Sequence, residues 1–170
     1  MKRTLLSSFF ILIFTFISLG IGERRNVIPA LYPARISIEG TYTCSARKLS
    51  DGTKVKPPQI TGLLIFTEKY RQLNLSWTDD NGKFVSVSCI AEYTLDDNQY
   101  TEKNMFYCLT NEADGPTYDL NNLSESSEVT ANDGTISFKL PFHDKPLITV
   151  TGDHLVVERP EYTDYWKKVE

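Results

Sequence analysis

The sequence predicts an all-β protein, an eight-stranded antiparallel up-and-down β-barrel, and three observations support that class. Short segments alternate polar and apolar residues with the two-residue period of a strand that is wet on one side. Turn residues, such as those at Asp51-Gly52 and Asn81-Gly82, separate these segments. No stretch has helical periodicity long enough to cover a sheet, which excludes an α/β enzyme fold. Because an open sheet leaves unpaired edges, we expect closure into a barrel or folding into a sandwich.

The predicted strands follow one another with short, mostly sequential connections. In the first strand Ile38, Tyr42 and Cys44 share one face, while Glu39 and Thr43 take the other. The next predicted strand, residues 60–67, is a continuous apolar run, which is typical of a strand covered on both faces. The eight predicted strands span residues 36–45, 60–67, 72–77, 84–93, 104–109, 135–140, 147–151 and 154–159.

One long segment interrupts this series. Residues 111–132 are polar, acidic and poor in aliphatic side chains, so we interpret them as a long loop with a short helical turn near residues 120–124.

The chain begins with a charged and then apolar leader. Lys2 and Arg3 precede the hydrophobic run, and small residues follow it at a plausible cleavage point. This pattern predicts a signal peptide over residues 1–22, an irregular lead-in over 23–35 and a barrel domain over 36–170. We therefore expect an exported protein, periplasmic or secreted, with no stable membrane insertion after cleavage. An uncleaved signal anchor is the alternative, because the run is about as long as a membrane span needs.

Charge makes nucleic acid an unexpected partner. The full chain has a net charge of −4, and loss of the leader with Lys2 and Arg3 would bring it to about −6. Between Glu92 and Asp133 ten carboxylates face one cation, Lys103. Such a surface repels phosphate. Calcium is not favoured either, since no Asp-x-Asp-x-Asp-Gly loop is present.

Short motifs spread over the predicted barrel resemble lipocalin-like domains of the calycin superfamily. They are Gly40-Thr41-Tyr42, the run 62–67, the run 153–159 and residues 165–169, and together they cover nearly all of the chain after the leader. In that family the first strand carries Gly-x-Trp, and an arginine from the end of the barrel packs over the indole. The resemblance implies a similar barrel-closing latch of Gly40, Tyr42 and Arg159, with tyrosine in the aromatic position.

A second resemblance competes with the first. Tyr42 lies two residues before Cys44, as in the tyrosine corner of immunoglobulin domains. In that sandwich the corner strand comes sixth, after an earlier cysteine, whereas here it comes first. The barrel is therefore the preferred prediction.

Cysteines in an exported chain are expected to pair. If Asp97-Asn98 forms the turn of a hairpin, Cys89 lies directly opposite Cys108 on the neighbouring strand. A disulfide there would close a loop of about twenty residues and stabilise the fold by roughly 3 kcal/mol. Cys44 is then left over, either buried or available for pairing with another molecule.

The inward-facing side chains can either fill the barrel or line a cup for one small molecule. The resemblance favours the cup, which implies a small apolar or amphipathic ligand, bound without a cofactor and without chemical change. The candidate ligand-binding residues are Leu73, Leu75, Trp77, Val87, Tyr93, Met105, Tyr107 and Phe138. The alternative is a filled β domain whose acidic loop 111–132 binds a protein partner.

No pattern in the sequence points to catalysis or to a metal. His143 and His154 are the only imidazoles, and neither has a cysteine or histidine at metal-ligand spacing. Nucleophile elbows and glycine-rich phosphate loops are absent. We therefore expect no catalytic residue and no metal site.

Overall fold

A computed structural model describes residues 37–169, and over this range the chain forms a closed antiparallel β-barrel. The predicted signal peptide and lead-in lie outside the described residues. Ten strands form the wall, and two short ones, β2 and β7, pair outside it. The strands are β1 (Gly40–Leu49), β2 (Lys54–Val55), β3 (Ile60–Phe66), β4 (Tyr70–Thr78), β5 (Phe84–Leu95), β6 (Gln99–Asn111), β7 (Gly115–Asp119), β8 (Ser124–Asn132), β9 (Thr135–Lys139), β10 (Leu147–Thr151), β11 (His154–Glu158) and β12 (Tyr162–Lys168).

The last strand closes the barrel by pairing with the first. Tyr42 lies opposite Lys168, and Leu49 lies opposite Tyr162, so β12 covers the edge that β1 would otherwise expose. The other wall strands pair with their neighbours in chain order once β2 and β7, which lie outside the wall, are left out. A single closed sheet confirms the barrel class and rules out the two-sheet sandwich.

The predicted count of eight wall strands is too low, because the sequence pattern missed β8 and β12. β8 lies in the segment interpreted as a long loop, and its serine, threonine and glutamate side chains are mostly exposed. Backbone pairing to β6 and β9, and not the burial of one face, holds β8 in place. Residues 111–132 are thus mainly β7 and β8, without the predicted helical turn.

A row of five aromatic rings fills one end of the barrel. Tyr42 meets the edge of Phe66 at 6.4 Å, Phe66 meets Tyr93 at 5.5 Å, and the row continues through Tyr100 to Phe138, whose ring centroids are 4.3 Å apart. All five side chains are buried. Stacked and edge-on aromatic contacts add to the stabilisation from burial alone. The Tyr42 hydroxyl, which needs an acceptor, donates to the Ile38 carbonyl at 3.0 Å.

Two β-bulges change which side chains point inward. In β1, Cys44 pairs with Trp166 and Ala46 pairs with Tyr165, so Ser45 is the extra residue. Beyond it, Arg47 is buried although strict alternation from Tyr42 and Cys44 would point it outward. In β6, Met105 is the extra residue between the partners of Ile90 and Ala91.

Candidate functional site

The interior cavity lies between β3 to β5 on one side of the wall and β10 to β12 on the other. Its volume is about 40 Å³, which is room for roughly three water molecules at about 10–15 Å³ each. The lining is mostly apolar, with a minority of charged and aromatic polar side chains. It consists of Leu64, Phe66, Arg71, Leu73, Leu75, Trp77, Val87, Leu140, Ile148, Val157, Arg159, Tyr162, Asp164 and Trp166.

A larger depression of about 550 Å³ lies across the outside of β3, β4 and β5. Serine, threonine, asparagine and leucine residues line it, and it is broadly open to solvent. No ionisable side chain contributes to it. Because binding sites usually combine enclosure with a few polar groups that converge, the interior cavity is the better candidate.

The predicted ligand-binding residues divide into four groups in the structure. Leu73, Leu75, Trp77 and Val87 line the cavity. Tyr93 and Phe138 belong to the aromatic row, where neighbouring rings cover them. Tyr107 stacks on His143, with ring centroids 3.5 Å apart. The remaining residue, Met105, does not face the interior: it is the bulge residue of β6 and is 43% exposed.

A buried ion pair stands at one end of the cavity. The Arg47 guanidinium donates to both carboxylate oxygens of Asp164, at 2.6 and 2.9 Å. Its carbon lies 3.7 Å from the centre of the Tyr162 ring and 4.5 Å from that of Trp77. Burial lowers the pKa of Arg47, but the hydrogen bonds and charge of Asp164 outweigh it and leave that pKa raised. Both oxygens of Asp164 thus accept hydrogen bonds from the Arg47 guanidinium.

Arg159 lies beside this pair and also lines the cavity. Its Nε donates to the Tyr162 hydroxyl at 3.0 Å. Its Nη1 is buried and has no hydrogen-bond partner. Burial raises the pKa of Tyr162, although the nearby charges of Arg159 and Arg47 oppose that rise. Among the described residues, the ion pairs of the barrel do not include Arg159.

A second buried cluster surrounds Arg71. This guanidinium donates to both oxygens of Glu102, at 2.9 and 2.7 Å, and its Nη1 contacts the Cys89 sulfur at 3.0 Å. The Tyr100 hydroxyl donates to the same carboxylate. Burial would raise the pKa of Glu102, but the Arg71 charge and these hydrogen bonds hold it below its ordinary value. Burial also raises the pKa of the Cys89 thiol, and Arg71 only partly offsets this, so the thiol stays protonated.

A short irregular segment between β9 and β10 lies against the β6–β7 side of the barrel. Within it His143, Asp144 and Lys145 all have positive φ, at 53°, 72° and 48°. Three consecutive non-glycine residues in this region carry backbone strain, which tertiary contacts must offset. His143 supplies one such contact by stacking on Tyr107, and its Nε2 lies 3.7 Å from an Asp119 carboxylate oxygen. Burial lowers the pKa of His143 below its ordinary value.

The structure does not assemble the predicted latch of Gly40, Tyr42 and Arg159. Tyr42 pairs with Lys168 on β12, whereas Arg159 follows the far end of β11 and packs on Tyr162. The Lys168 ammonium lies 5.9 Å from the centre of the Tyr42 ring. Gly40 lies against the same lysine, because a Cβ at this glycine would clash with the Lys168 Cε. The two ends of the barrel thus carry different cations.

The predicted disulfide between Cys89 and Cys108 is wrong in the structure, where both thiols are free. Cys89 pairs with Tyr107, and Cys108 pairs with Ser88, so the register differs by one residue from the expected one. Because successive side chains of a strand point to opposite faces, this shift sends Cys89 inward and Cys108 outward. Cys44 is also free and buried, and burial raises its pKa to about 12.

The comparisons with known proteins add no family to this description. No family model matches the chain, and no curated protein or solved structure matches it either. Within residues 37–169 no group of three or more His, Cys, Asp or Glu side chains is arranged to hold a metal ion. Over the same range no helix is long and apolar enough to cross a membrane.

The sequence interpretation missed the charged residues of the interior, although part of the signal was available. Arg71 has the same parity as Leu73, Leu75 and Trp77, so alternation alone places its guanidinium inside. A charged residue on the inward face of a strand is rarely buried without a partner. Arg47 could not be found this way, because the bulge at Ser45 shifts by one residue which side chains of β1 point inward.

Proposed function

We propose that this chain is an exported, lipocalin-like barrel that binds a small amphipathic molecule inside the cavity and releases it unchanged. One observation carries the proposal: an enclosed, mostly apolar cavity with polar side chains gathered towards Arg159 and Tyr162. Such a combination is typical of small-molecule sites, in which apolar walls supply affinity and a few polar groups fix orientation. The volume of about 40 Å³ restricts the ligand to a few non-hydrogen atoms.

Intrinsic fluorescence provides a direct test. The two tryptophans of the chain, Trp77 and Trp166, both line the cavity. Titration with short-chain alcohols, amides and carboxylates should therefore change their emission in a saturable way. The replacement Leu75→Phe, which adds volume inside the cavity, should abolish that response. The matched change Leu63→Phe, on the outer face of β3 where the leucine is 44% exposed, should leave it intact.

The proposal fails if no compound of these series changes the emission at millimolar concentration. It also fails if Leu75→Phe and Leu63→Phe respond alike, since binding would then not involve the interior.

A second candidate function is a filled barrel that binds a basic protein partner through residues 111–132. Its supporting observation is the exposure of three large apolar side chains among the carboxylates of that segment: Tyr118, Leu120 and Leu123 are 58%, 63% and 51% exposed. Binding of a basic amphipathic peptide should then weaken steeply with added salt. Neutralising Glu112, Asp114 and Glu128 together should weaken it further, whereas neutralising Glu68 and Glu158, outside the segment, should not.

A further inference from the structure

The outer face of β3 to β6 has a central area without charged side chains. It consists of the outward-pointing residues of 61–65, 72–76, 86–90 and 106–110, which form three rows across the four strands. The middle row is made of Leu63, Asn74, Ser88 and Cys108. Serine, threonine, glutamine and apolar side chains make up the other two rows. We call this area the neutral face.

Charged side chains surround the neutral face and occupy the opposite side of the barrel. Glu92 pairs with Lys103 directly beyond the end of the neutral face on β5 and β6. On the outer face of β9 to β12, Lys139, Glu158 and Lys167 are exposed. A chain with 22 acidic and 18 basic residues thus keeps one four-stranded area free of both. An uncharged centre with a polar rim is the usual composition of a protein interface.

The neutral face contains both a hollow and a projecting side chain. The hollow is the depression of about 550 Å³, which is lined by Gly62 and by short side chains such as Ser76 and Ser86. Ile90 follows Ser88 on the outward side of β5 and is 39% exposed. Because the hollow and the projection share one patch, a two-fold rotation can place each isoleucine in the hollow of the other copy. The patch is therefore complementary to itself.

We propose that two copies of this chain associate through their neutral faces as a two-fold symmetric dimer. Each copy has a net negative charge of −4, so contacts between charged surfaces would bring like charges together, and like-charge contacts are costly. The neutral face avoids this cost, because no ion has to leave water when it is covered. The inference concerns the outside of the barrel and does not depend on the proposed interior binding.

The dimensions of the face are large enough for a stable dimer. Four strands at about 4.8 Å each are about 19 Å wide, and the 9 residues of β4 span about 30 Å at about 3.3 Å per residue. The neutral face with its rim therefore has a projected area of about 600 Å². Side-chain relief makes the accessible area larger than the projection, and a stable interface buries about 800 Å² on each partner.

Sedimentation velocity tests the dimer directly. The chain is compared at concentrations from about 1 to 100 µM, because interfaces of this size can have micromolar affinity. Wild-type protein should shift from monomer to dimer. Ser86→Glu places a charge in the hollow and should weaken association at least about tenfold, since that charge would be buried without a partner. The matched control is Ser137→Glu on the outer face of β9, where Ser137 contacts Thr149, and it should dimerise like wild type.

Cys108 provides a second measurement within the neutral face. Its thiol is free and only partly buried, and it belongs to the middle row. Alkylation by iodoacetamide should therefore become slower as the concentration of wild-type protein rises and dimers cover the thiol. In Ser86→Glu the rate should not depend on protein concentration, whereas Ser137→Glu should keep the dependence.

Each other outcome overturns the inference. A wild-type protein that stays monomeric over the whole range shows that the neutral face does not pair. Equal association of Ser86→Glu and Ser137→Glu, whether retained or lost in both, shows that the interface lies elsewhere. Growth beyond the dimer excludes a closed two-fold contact. The concentration series and the Cys108 rates of wild-type protein need no variant, so a Ser86→Glu protein that does not fold leaves the inference testable.

Discussion

Replacing Glu102 by glutamine removes the negative charge from the most enclosed ion pair of the barrel. Arg71 and Glu102 are only 4% and 1% exposed, and three donors converge on the carboxylate: two guanidinium nitrogens and the Tyr100 hydroxyl. An amide keeps one acceptor oxygen but turns an NH₂ group towards one of those donors. Arg71 would then be buried without a counter-charge, which costs about 3–5 kcal/mol in comparable sites.

This loss is large against the stability of a domain of this size, about 5–15 kcal/mol. At a slope of about 2 kcal/mol per M urea, the unfolding midpoint should fall by about 1.5–2.5 M. Equilibrium urea unfolding followed by circular dichroism measures the shift. The matched control is Glu125→Gln, because Glu125 forms an exposed pair with Lys145 at 3.6 Å. The control should lose less than about 1 kcal/mol.

The double variant Arg71→Met/Glu102→Gln checks the reasoning independently. When both charges are gone, no buried ion is left unpaired, so its loss should be smaller than the sum of the single losses by about 1–3 kcal/mol. Equal losses for Glu102→Gln and Glu125→Gln would refute the argument. Strict additivity in the double variant would refute it as well, since the two charges would then not be coupled.

The remaining predictions concern pH, thiols and packing. The pKa of Glu102 is held below its ordinary value of 4.5, so its ionised form stabilises the fold above that pH and the stabilisation is lost on acidification. Glu102→Gln should therefore reduce the loss of unfolding free energy at acidic pH. An unchanged loss at acidic pH would argue against this assignment. Burial lowers the pKa of His143 from 6.5, so the unfolded chain takes up the proton first and stability should fall as pH drops below about 6.5. Between pH 7 and 5 the thermal unfolding temperature of His143→Gln should fall less than that of the control, His154→Gln. Mass spectrometry should find three free thiols without reductant, and in the native protein Cys108 should react with iodoacetamide before buried Cys44 and Cys89; a mass 2 Da lower, from a bridge, would contradict the register. Gly62→Ala should destabilise by about 1–3 kcal/mol in urea unfolding, because the new Cβ would meet the Asn74 carbonyl oxygen at 2.7 Å; an unchanged midpoint would show that β4 yields freely.

Strand alternation predicted the barrel well where one face of a strand is buried. The segments around Tyr42, Leu75 and Phe138 became wall strands because their apolar faces must leave water. Alternation failed at β8, where Ser126, Ser127 and Thr130 give no buried face to detect. There the pairing of backbone N–H and C=O groups with both neighbouring strands makes the strand, and such pairing leaves no mark in hydropathy.

The candidate site was only half accessible from the sequence. Leu73, Leu75, Trp77 and Val87 were found as inward residues, and they line the cavity. The charged partners were missed, because ion pairs such as Arg47 with Asp164 join residues 117 positions apart. Spacing along the chain carries no information about such a pair.

By itself the sequence determined the all-β class of the fold, since alternating side chains without long helical segments permit only sheets whose edges must be protected. The tertiary structure alone decided which side chains meet inside. The extra residues Ser45 and Met105 exchange the inward-facing and outward-facing side chains of the strand beyond each bulge. This exchange brings Arg47 into the barrel and separates Cys89 from Cys108. The physical reason is the two-residue period of a strand: a single inserted residue exchanges its faces. Whether the local pairing accommodates that residue depends on neighbouring strands that lie far away in the chain.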